Sequence, residues 1–293
     1  MAETSKNRDA DLLAEMRRQF DKADEVCRDS YDKANEDRRF VNVPGAQWDQ
    51  SLKARRGDRA CYEFPKLSSH TRQVINELKQ SMPQGKVRGA TDADRGLAEL
   101  MQGICRGIER NSDAEDAYKI AYECAVEGGI GHWRLVTDYR NPDDFELDIS
   151  VQAIRNPTAV KWDAASVDLD REDAGHCFVE DTISKASFER QYPDADLVGW
   201  ESDSGCEAWR DRDQVKVCEY FWKEAAKRVL LQLADGRTVY ADELGDGWQD
   251  MLVQAGVQVL RQREVEDWKV YSRLTNGHEW LTDRYEWPTR HIP

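Results

Sequence analysis

The 293-residue sequence predicts an α+β fold, an N-terminal helical region followed by a mixed, mostly antiparallel β region with short helices. Up to about residue 127 the apolar side chains recur every three or four positions, the period of a helix with one buried face. After one alternating segment at Trp133 to Tyr139, the period is mainly two from Asp148 onward, and turn dipeptides such as Asp235-Gly236 and Asn276-Gly277 punctuate it as hairpin turns do.

Within residues 10–40, Leu12, Leu13, Met16, Phe20, Ala23, Val26 and Cys27 fall on one face of a long amphipathic helix, which Pro44 and Gly45 end. A Gln47-Trp48 pair and a basic stretch from Lys53 to Arg59 follow. Leu67, Thr71, Val74, Ile75, Leu78 and Met82 predict a second helix stopped by Pro83. A third, from about Asp92 to Arg110, is expected to bury Leu97, Leu100, Met101, Ile104 and Ile108. Ser112 and Glu115 have the spacing of a capping box, ahead of a stripe of Ala117, Ile120, Ala121 and Cys124. Gly128 and Gly129 supply the left-handed conformations that end that helix, and Trp133 to Tyr139 alternates as a strand.

Strand signals then recur at Ile149 to Ala153, Val160 to Trp162 and Cys177 to Val179. A short helix is predicted from Ser184, as cap, to Tyr192 before Pro193, and an exposed polar loop over 199–213. Val215 to Trp222 and Val229 to Leu233 read as strands, the second turning at Asp235-Gly236 into Val239-Tyr240. Asp242 is expected to cap a helix running to Ala255 and ended by Gly256. Strands are predicted over Val257 to Glu264 and Trp268 to Leu274, with Asn276-Gly277 turning into Glu279 to Trp287. The organisation expected is 1–111 helical, 112–213 an α+β core and 214–293 β-rich.

Acidic residues outnumber basic ones 57 to 42, a formal charge of −15 that repels a phosphate backbone and argues against tight sequence-reading of nucleic acid. For most of these residues the charge reads as a means of staying soluble, and an acidic wall would also suit a conduit that DNA slides through. The seven cysteines are scattered with no CxxC pair, and reduced, mostly buried thiols are expected. No apolar run reaches the length of about 20 residues that a bilayer span needs, and the first fifteen residues lack a secretion signal, so a cytoplasmic protein is expected.

No catalytic, cofactor-binding or metal-ligating residue is assigned. Gly128-Gly129-Ile130-Gly131 leaves a helix for a strand, the reverse of a phosphate loop, so Gly128, Gly129 and Gly131 read as a structural turn. There is no GxxxxGK[ST] segment, and any nucleotide-hydrolysing motor must be a partner. The five histidines lack zinc spacing, and adjacent His176 and Cys177 point to opposite faces of a strand. Asp168 to Asp173 resembles a calcium loop, but Asp173 stands where the turn glycine is required and Val179 where the bidentate glutamate is required. No GxSxG elbow occurs, and Asp143-Asp144 lacks the apolar setting that raises a carboxyl pKa.

Several segments, taken in order, resemble the portal proteins of short-tailed, podovirus-type bacteriophages. They are Gln47-Trp48, the helix ending Val74-Ile75-Asn76-Glu77-Leu78, the run Glu127 to Tyr139, Asn156-Pro157, Val160-Lys161-Trp162-Asp163, Asp173-Ala174-Gly175-His176-Cys177 and Val217 to Lys223. His291-Ile292-Pro293 resembles a point where the family continues, so the chain is expected to be the N-terminal portion of a longer subunit, its 112–213 core wing-like and its 214–293 region leading toward the stem and clip.

The resemblance implies a ring of about twelve copies closed by heterologous contacts at a capsid vertex. It implies terminase large subunit, tail adaptor and scaffolding proteins as partners, double-stranded DNA passing without sequence specificity, no membrane and no cofactor. It implies the virion as location, with the host cytoplasm during assembly. Phe20, Val26 and Trp48 are candidates for intersubunit or interdomain contact, and for simple core as well. Lys53, Arg55, Arg56 and Arg59 are candidates for DNA or scaffold contact, or for a solvated basic loop. A metal-dependent hydrolase or nuclease using scattered acids, and a non-assembling prophage remnant, stay open at this point.

Overall fold

The computed structural model describes residues 2–80, 82, 85–89, 91, 94–195, 214–234, 236–245, 247–254 and 256–293. The predicted stop at Pro83 and the predicted loop at 199–213 lie outside them, as does Asp235 of the predicted hairpin turn. Contacts gather the chain into two compact units, 21–164 and 1–20 with 165–292. The first helix, α1 (Ala2–Asn42), runs through both, so the units do not follow the regions 1–111, 112–213 and 214–293, which divide the chain by element type.

The unit 21–164 holds the second half of α1, then α2 (Gln50–Arg56), α3 (Lys66–Gln80), α4 (Arg95–Asn111), α5 (Ala114–Gly128) and the strands β1 (His132–Tyr139), β2 (Leu147–Ile154) and β3 (Val160–Trp162). α5 is central to it. Its small-residue stripe is buried at Ala114, Ala117, Ala121 and Cys124, as is Ala34 on α1. A Cβ at Gly128 would come within 3.1 Å of the Ala34 carbonyl, which places α1 and α5 in close backbone approach. Arg38 and Asn42 of α1 both reach Glu127, Asn42 donating at 2.8 Å. Lys79 of α3 meets Glu123 at 3.6 Å.

The helix-to-strand turn follows from glycine geometry. Of the two glycines expected to be left-handed only Gly129 is: it caps α5 with φ 80° and donates its N–H to Ala125 O at 2.8 Å, while Gly128 stays in the helix because Ala125–Gly128 still form its last turn. Gly131 then passes so close to α5 that a Cβ there would fall 1.7 Å from the Ala121 carbonyl oxygen. β1 pairs antiparallel with β2 in the register Trp133↔Ala153 to Tyr139↔Leu147. Ala114 and Ala117 pack on Val151, with Tyr118 and Ala153 beside them, and Tyr118 meets Trp133 edge to face at 5.1 Å.

The start of α5 corrects the expected capping box. Ser112 ends α4 and its hydroxyl donates back to Ile108 O at 2.6 Å, while Asp113, left-handed at φ 49°, precedes α5 and makes no side-chain cap. A tight helix–helix turn took the serine that an isolated helix would have used.

Deep in this unit Lys161 is only 5% exposed and bonds Asp24 of α1 at 3.0 Å. Tyr31 of α1 donates to the Val160 carbonyl. Burial works to raise the Asp24 carboxyl, but Lys161 and then Arg28 outweigh it and hold it below its ordinary value.

The other unit is built on a long antiparallel ribbon. Its strands are β4 (His176–Ser184), β5 (Gln214–Leu233), β6 (Thr238–Tyr240), β7 (Val259–Thr275) and β8 (Tyr285–Trp287), in the order β4-β5-β7-β8 with β6 on β5, accompanied by α6 (Lys185–Gln191) and α7 (Trp248–Gln254). Two expected breaks are absent. β5 runs unbroken across Lys223 to Arg228, and β7 across Val265 to Asp267, because the two pair along their length from Cys218↔Thr275 to Leu233↔Val259. The charged residues that interrupt the alternation find partners instead: Arg228 binds Asp242, Glu243 and Asp267 at 2.9–3.0 Å and lies 3.7 Å over the Tyr240 ring. Burial opposes the Arg228 charge, and the carboxylates outweigh it and raise its pKa.

The same arginine corrects the helix expected from Asp242. A 3-10 turn, Ala241–Leu244, precedes Gly245 and Gly247, both at φ 80°, and α7 starts only at Trp248. Met16 and Phe20 of α1 are buried, and Phe20 starts an aromatic series through Phe178, Tyr220 and Trp222 with centroids 5.0–5.3 Å apart. Tyr220 donates to Gln19, Trp280 to the Asp9 carbonyl and Arg17 to Gly277 O, fixing the first half of α1 on the sheet. Ser184 caps α6 as expected, accepting from Ser187 N. Asn276-Gly277 does turn, but Asn276 is buried and braces the loop through bonds to His278 N and Glu279 N, and the strand after it is confined to β8. No disulfide joins the described cysteines, and they are not mostly buried: Cys124, Cys177 and Cys218 are, Cys27 and Cys61 are half-buried and Cys105 is exposed on α4.

Two outcomes follow from this packing. Gly131→Ala is expected to destabilise the protein by about 2–4 kcal/mol in urea unfolding, since the added methyl meets backbone and not a flexible side chain. Lys161→Met is expected to cost about 1–2 kcal/mol at neutral pH, less than a fully buried broken pair because Asp24 stays partly hydrated. The Asp24 pKa is depressed by folding, so its contribution is present above the ordinary carboxylate pKa and is lost as pH falls through the folded value; the gap between wild type and Lys161→Met should close at acid pH in the same titrated unfolding series.

Candidate functional site

Both units expose large apolar side chains, and the unit 21–164 carries three such surfaces that include residues singled out by the sequence. The first is the segment after α1. Asp49 caps α2 by accepting from Ser51 N, and Gly57 at φ 57° ends it. Glu63 accepts from Gly45 N and from Gln47 N, closing the segment into a loop. Trp48 is half-buried; its indole donates to Tyr62 O at 3.1 Å and Arg56 lies 5.0 Å over its ring. Lys53 donates to the Gly45 carbonyl and Arg56 to that of Ala60.

The four basic residues therefore divide. Lys53 and Arg56 brace their own loop, while Arg55 and Arg59 are exposed. Tyr62 and Phe64, which the sequence did not single out, are each 75% exposed on the same segment. Of the residues expected at a contact, Phe20 is 3% exposed and used within its own chain against Phe178, whereas Val26 is open on α1.

The second surface corrects the expectation for α4. Leu97, Leu100, Met101 and Ile104 are not buried: the two leucines are 61% exposed and the others nearly half. α4 reaches β2 and α5, with Gly107 and Ile108 near its end half-buried, and Gln102 clamps residues 85–87 along one side by bonding Val87 N and Gly85 O. Among the described residues nothing covers its apolar stripe. The third surface is the hairpin. Paired residues share a face, so Trp133, Leu135, Tyr139, Leu147, Ile149 and Val151 line one side. α5 covers Val151, and Tyr139, Leu147 and Ile149 remain about half exposed toward the turn. Phe145 at the turn is almost wholly exposed.

A cleft of 1040 Å³ between the end of α1 and α3 is lined by Phe40, Pro44, Glu63, Arg72 and Asn76 among others. No group of three or more His, Cys, Asp or Glu is placed to hold a metal among the described residues. In the 168–173 turn the Asp173 carboxylate points at its own loop, accepting from Ser166 Oγ and Val167 N at 2.6 Å, and the Ser166 bond first of all lowers its pKa. Cys177 and Cys124 are pushed up by burial, away from the thiolate state of a reactive cysteine. No helix among the described residues is long and apolar enough to cross a membrane.

The model of the phage P22-like portal protein family matches residues 17–293. The chain belongs to that family. The matched span takes in both units, from the first half of α1 to the last residue, and the family is a structural one. A relative named "Portal protein" from Acyrthosiphon pisum secondary endosymbiont phage 1 is 26% identical over 312 aligned residues, covering all of this chain. The chain spans 42% of the length of that relative.

The divided basic residues give a measurable contrast. Arg55→Ala and Arg59→Ala should change urea stability by less than about 0.5 kcal/mol, whereas Trp48→Ala, losing its bond to Tyr62 O and its arginine stack, should cost about 1–2 kcal/mol and speed hydrogen exchange across residues 45–64.

Proposed function

We propose that this chain is part of a phage portal subunit that assembles with copies of itself into a ring at a capsid vertex. The match to the P22-like portal family across residues 17–293 is the observation that carries this reading. In it the ring passes double-stranded DNA without sequence specificity during packaging and ejection, and offers a platform first to the terminase large subunit and scaffolding protein, then to tail adaptor proteins. The protein's part is mechanical. It places a motor, lets DNA slide and seals, and the formal charge of −15 favours sliding over gripping because it repels the phosphate backbone.

The proposed regions are a helical 1–111, a wing-like 112–213 and a β-rich 214–293 leading toward the stem and clip. Val26 and Trp48 are proposed contacts to neighbours. Arg55 and Arg59, exposed beside Tyr62 and Phe64, are the proposed contacts to DNA or scaffold, since an arginine that is not bracing its own loop is available to a phosphate or carboxylate. The location proposed is the virion, with assembly in the host cytoplasm.

Mass photometry and negative-stain imaging test the reading on this chain and on a chimera that continues it with the remaining C-terminal part of the phage relative. Closed rings of about twelve copies are expected. A chimera that stays monomeric at high concentration would overturn it.

A further inference from the structure

A long helix with an uncovered apolar stripe and a hairpin with an uncovered apolar face, both on one unit, call for an occupant. Contiguous exposed apolar patches on soluble proteins mark contact sites. We propose that α4 of one copy seats on the β1–β2 hairpin of a second copy, Leu97, Leu100 and Ile104 of the first meeting Tyr139, Leu147 and Ile149 of the second. This rests on the ring reading above and adds where the subunits meet.

Charge selects the second copy as occupant. At its start α4 is neutralised by its cap Asp94 and by the Arg95–Glu99 pair at 3.5 Å, and its positive side chains lie toward its end, Arg106 and Arg110 against Glu109, in a chain whose formal charge is −15. Residues 138–148 of the hairpin carry five acids against Arg140 alone, and Arg140 is already held by Glu146 and Asp148 at 2.7 and 3.0 Å. Two copies repel one another over most of their surface, so they approach best where the arginine-bearing helix of one faces the acidic hairpin of the other.

Because the two surfaces are different patches of one unit, the contact is heterologous: each copy offers a helix to one neighbour and a hairpin to the next, and repetition closes a ring when the rotation allows. The three or four half-exposed side chains on each surface amount to ~300–400 Å² per side, below the ~800 Å² per partner of a standard interface. The contact is therefore weak between two isolated copies and gains from closure, as repeated linked contacts do.

Leu100→Asp blocks the helix surface and Leu147→Asp the hairpin surface. Both residues are more than half exposed, so the fold should survive, with far-UV circular dichroism and the melting curve as the check. Sedimentation velocity at high concentration should show the wild-type chain self-associating and each variant at least about tenfold weaker. An equimolar mixture of the two variants retains one intact helix and one intact hairpin, so it should pair and stop at dimers. A bismaleimide cross-link from the exposed Cys105 on α4 to a Thr137→Cys hairpin, position 137 pairing with Ile149 on the proposed face, mapped by peptide mass spectrometry between isotope-labelled and unlabelled copies, reads the same contact directly.

Variants that associate as the wild type does, a mixture that fails to pair, or a wild-type chain with no association at any concentration would each overturn the seat. The ring reading fails separately. Rings that persist in Leu100→Asp and Leu147→Asp forms of the chimera would remove this contact and leave the ring standing, whereas an unsubstituted chimera that forms no ring removes the reading itself.

Discussion

The close approach of Gly131 to the Ala121 carbonyl is the constraint on which the surface of this protein depends. A helix whose last turn ends at Gly128 must hand the chain to a strand running back beside it, and only a residue without a Cβ can pass where a Cβ would fall 1.7 Å from a carbonyl oxygen. That passage fixes the hairpin against α5, and so fixes which part of its apolar face is covered. Val151 and Ala153 fall under Ala114, Ala117 and Tyr118, while Tyr139 and Leu147 are carried past the end of the helix into solvent. The exposed apolar surface is thus a consequence of how the core was closed.

The other unit solves a different problem with the same economy of contacts. A ribbon as long as β5 and β7 cannot be apolar throughout and remain soluble, and its middle carries Lys223, Glu224, Lys227, Arg228, Glu264 and Glu266. Arg228 resolves the polarity there by gathering three carboxylates and a tyrosine ring, and Arg284 does the same nearer β8, binding Glu224 and lying 3.4 Å over Tyr271. Such partly exposed networks contribute modestly to stability, but they let backbone pairing continue where the side-chain pattern would have broken it.

Several elements were legible in advance because their signals are local. The αL glycine after α5, Ser184 as a cap and the helical stripe through Met16 and Phe20 depend on neighbours a few residues away, and all three appear in the structure. Ser112 and Asp242 were misread for one shared reason: each has a cap-forming side chain that a tertiary or turn contact claimed first, Ile108 O for the serine and Arg228 for the aspartate. Among the candidate contact residues, the sequence could not separate Lys53 and Arg56 from Arg55 and Arg59, because the separation depends on which carbonyls the loop folds toward them. Tyr62 and Phe64 carried no periodic signal and were legible only once their exposure was known.

By itself the sequence determined the α+β class, the helical first part and strand-rich second part, the glycine turn and membership of a portal family, since these rest on periodicity, on backbone freedom and on the order of motifs along the chain. It also determined that α4 has an apolar stripe. Only the tertiary structure decided where that stripe points. Periodicity states that one face of a helix avoids water, but not whether its cover comes from the same chain, and the chain's own α5 and β2 take up just the end of α4 and leave Leu97 and Leu100 open.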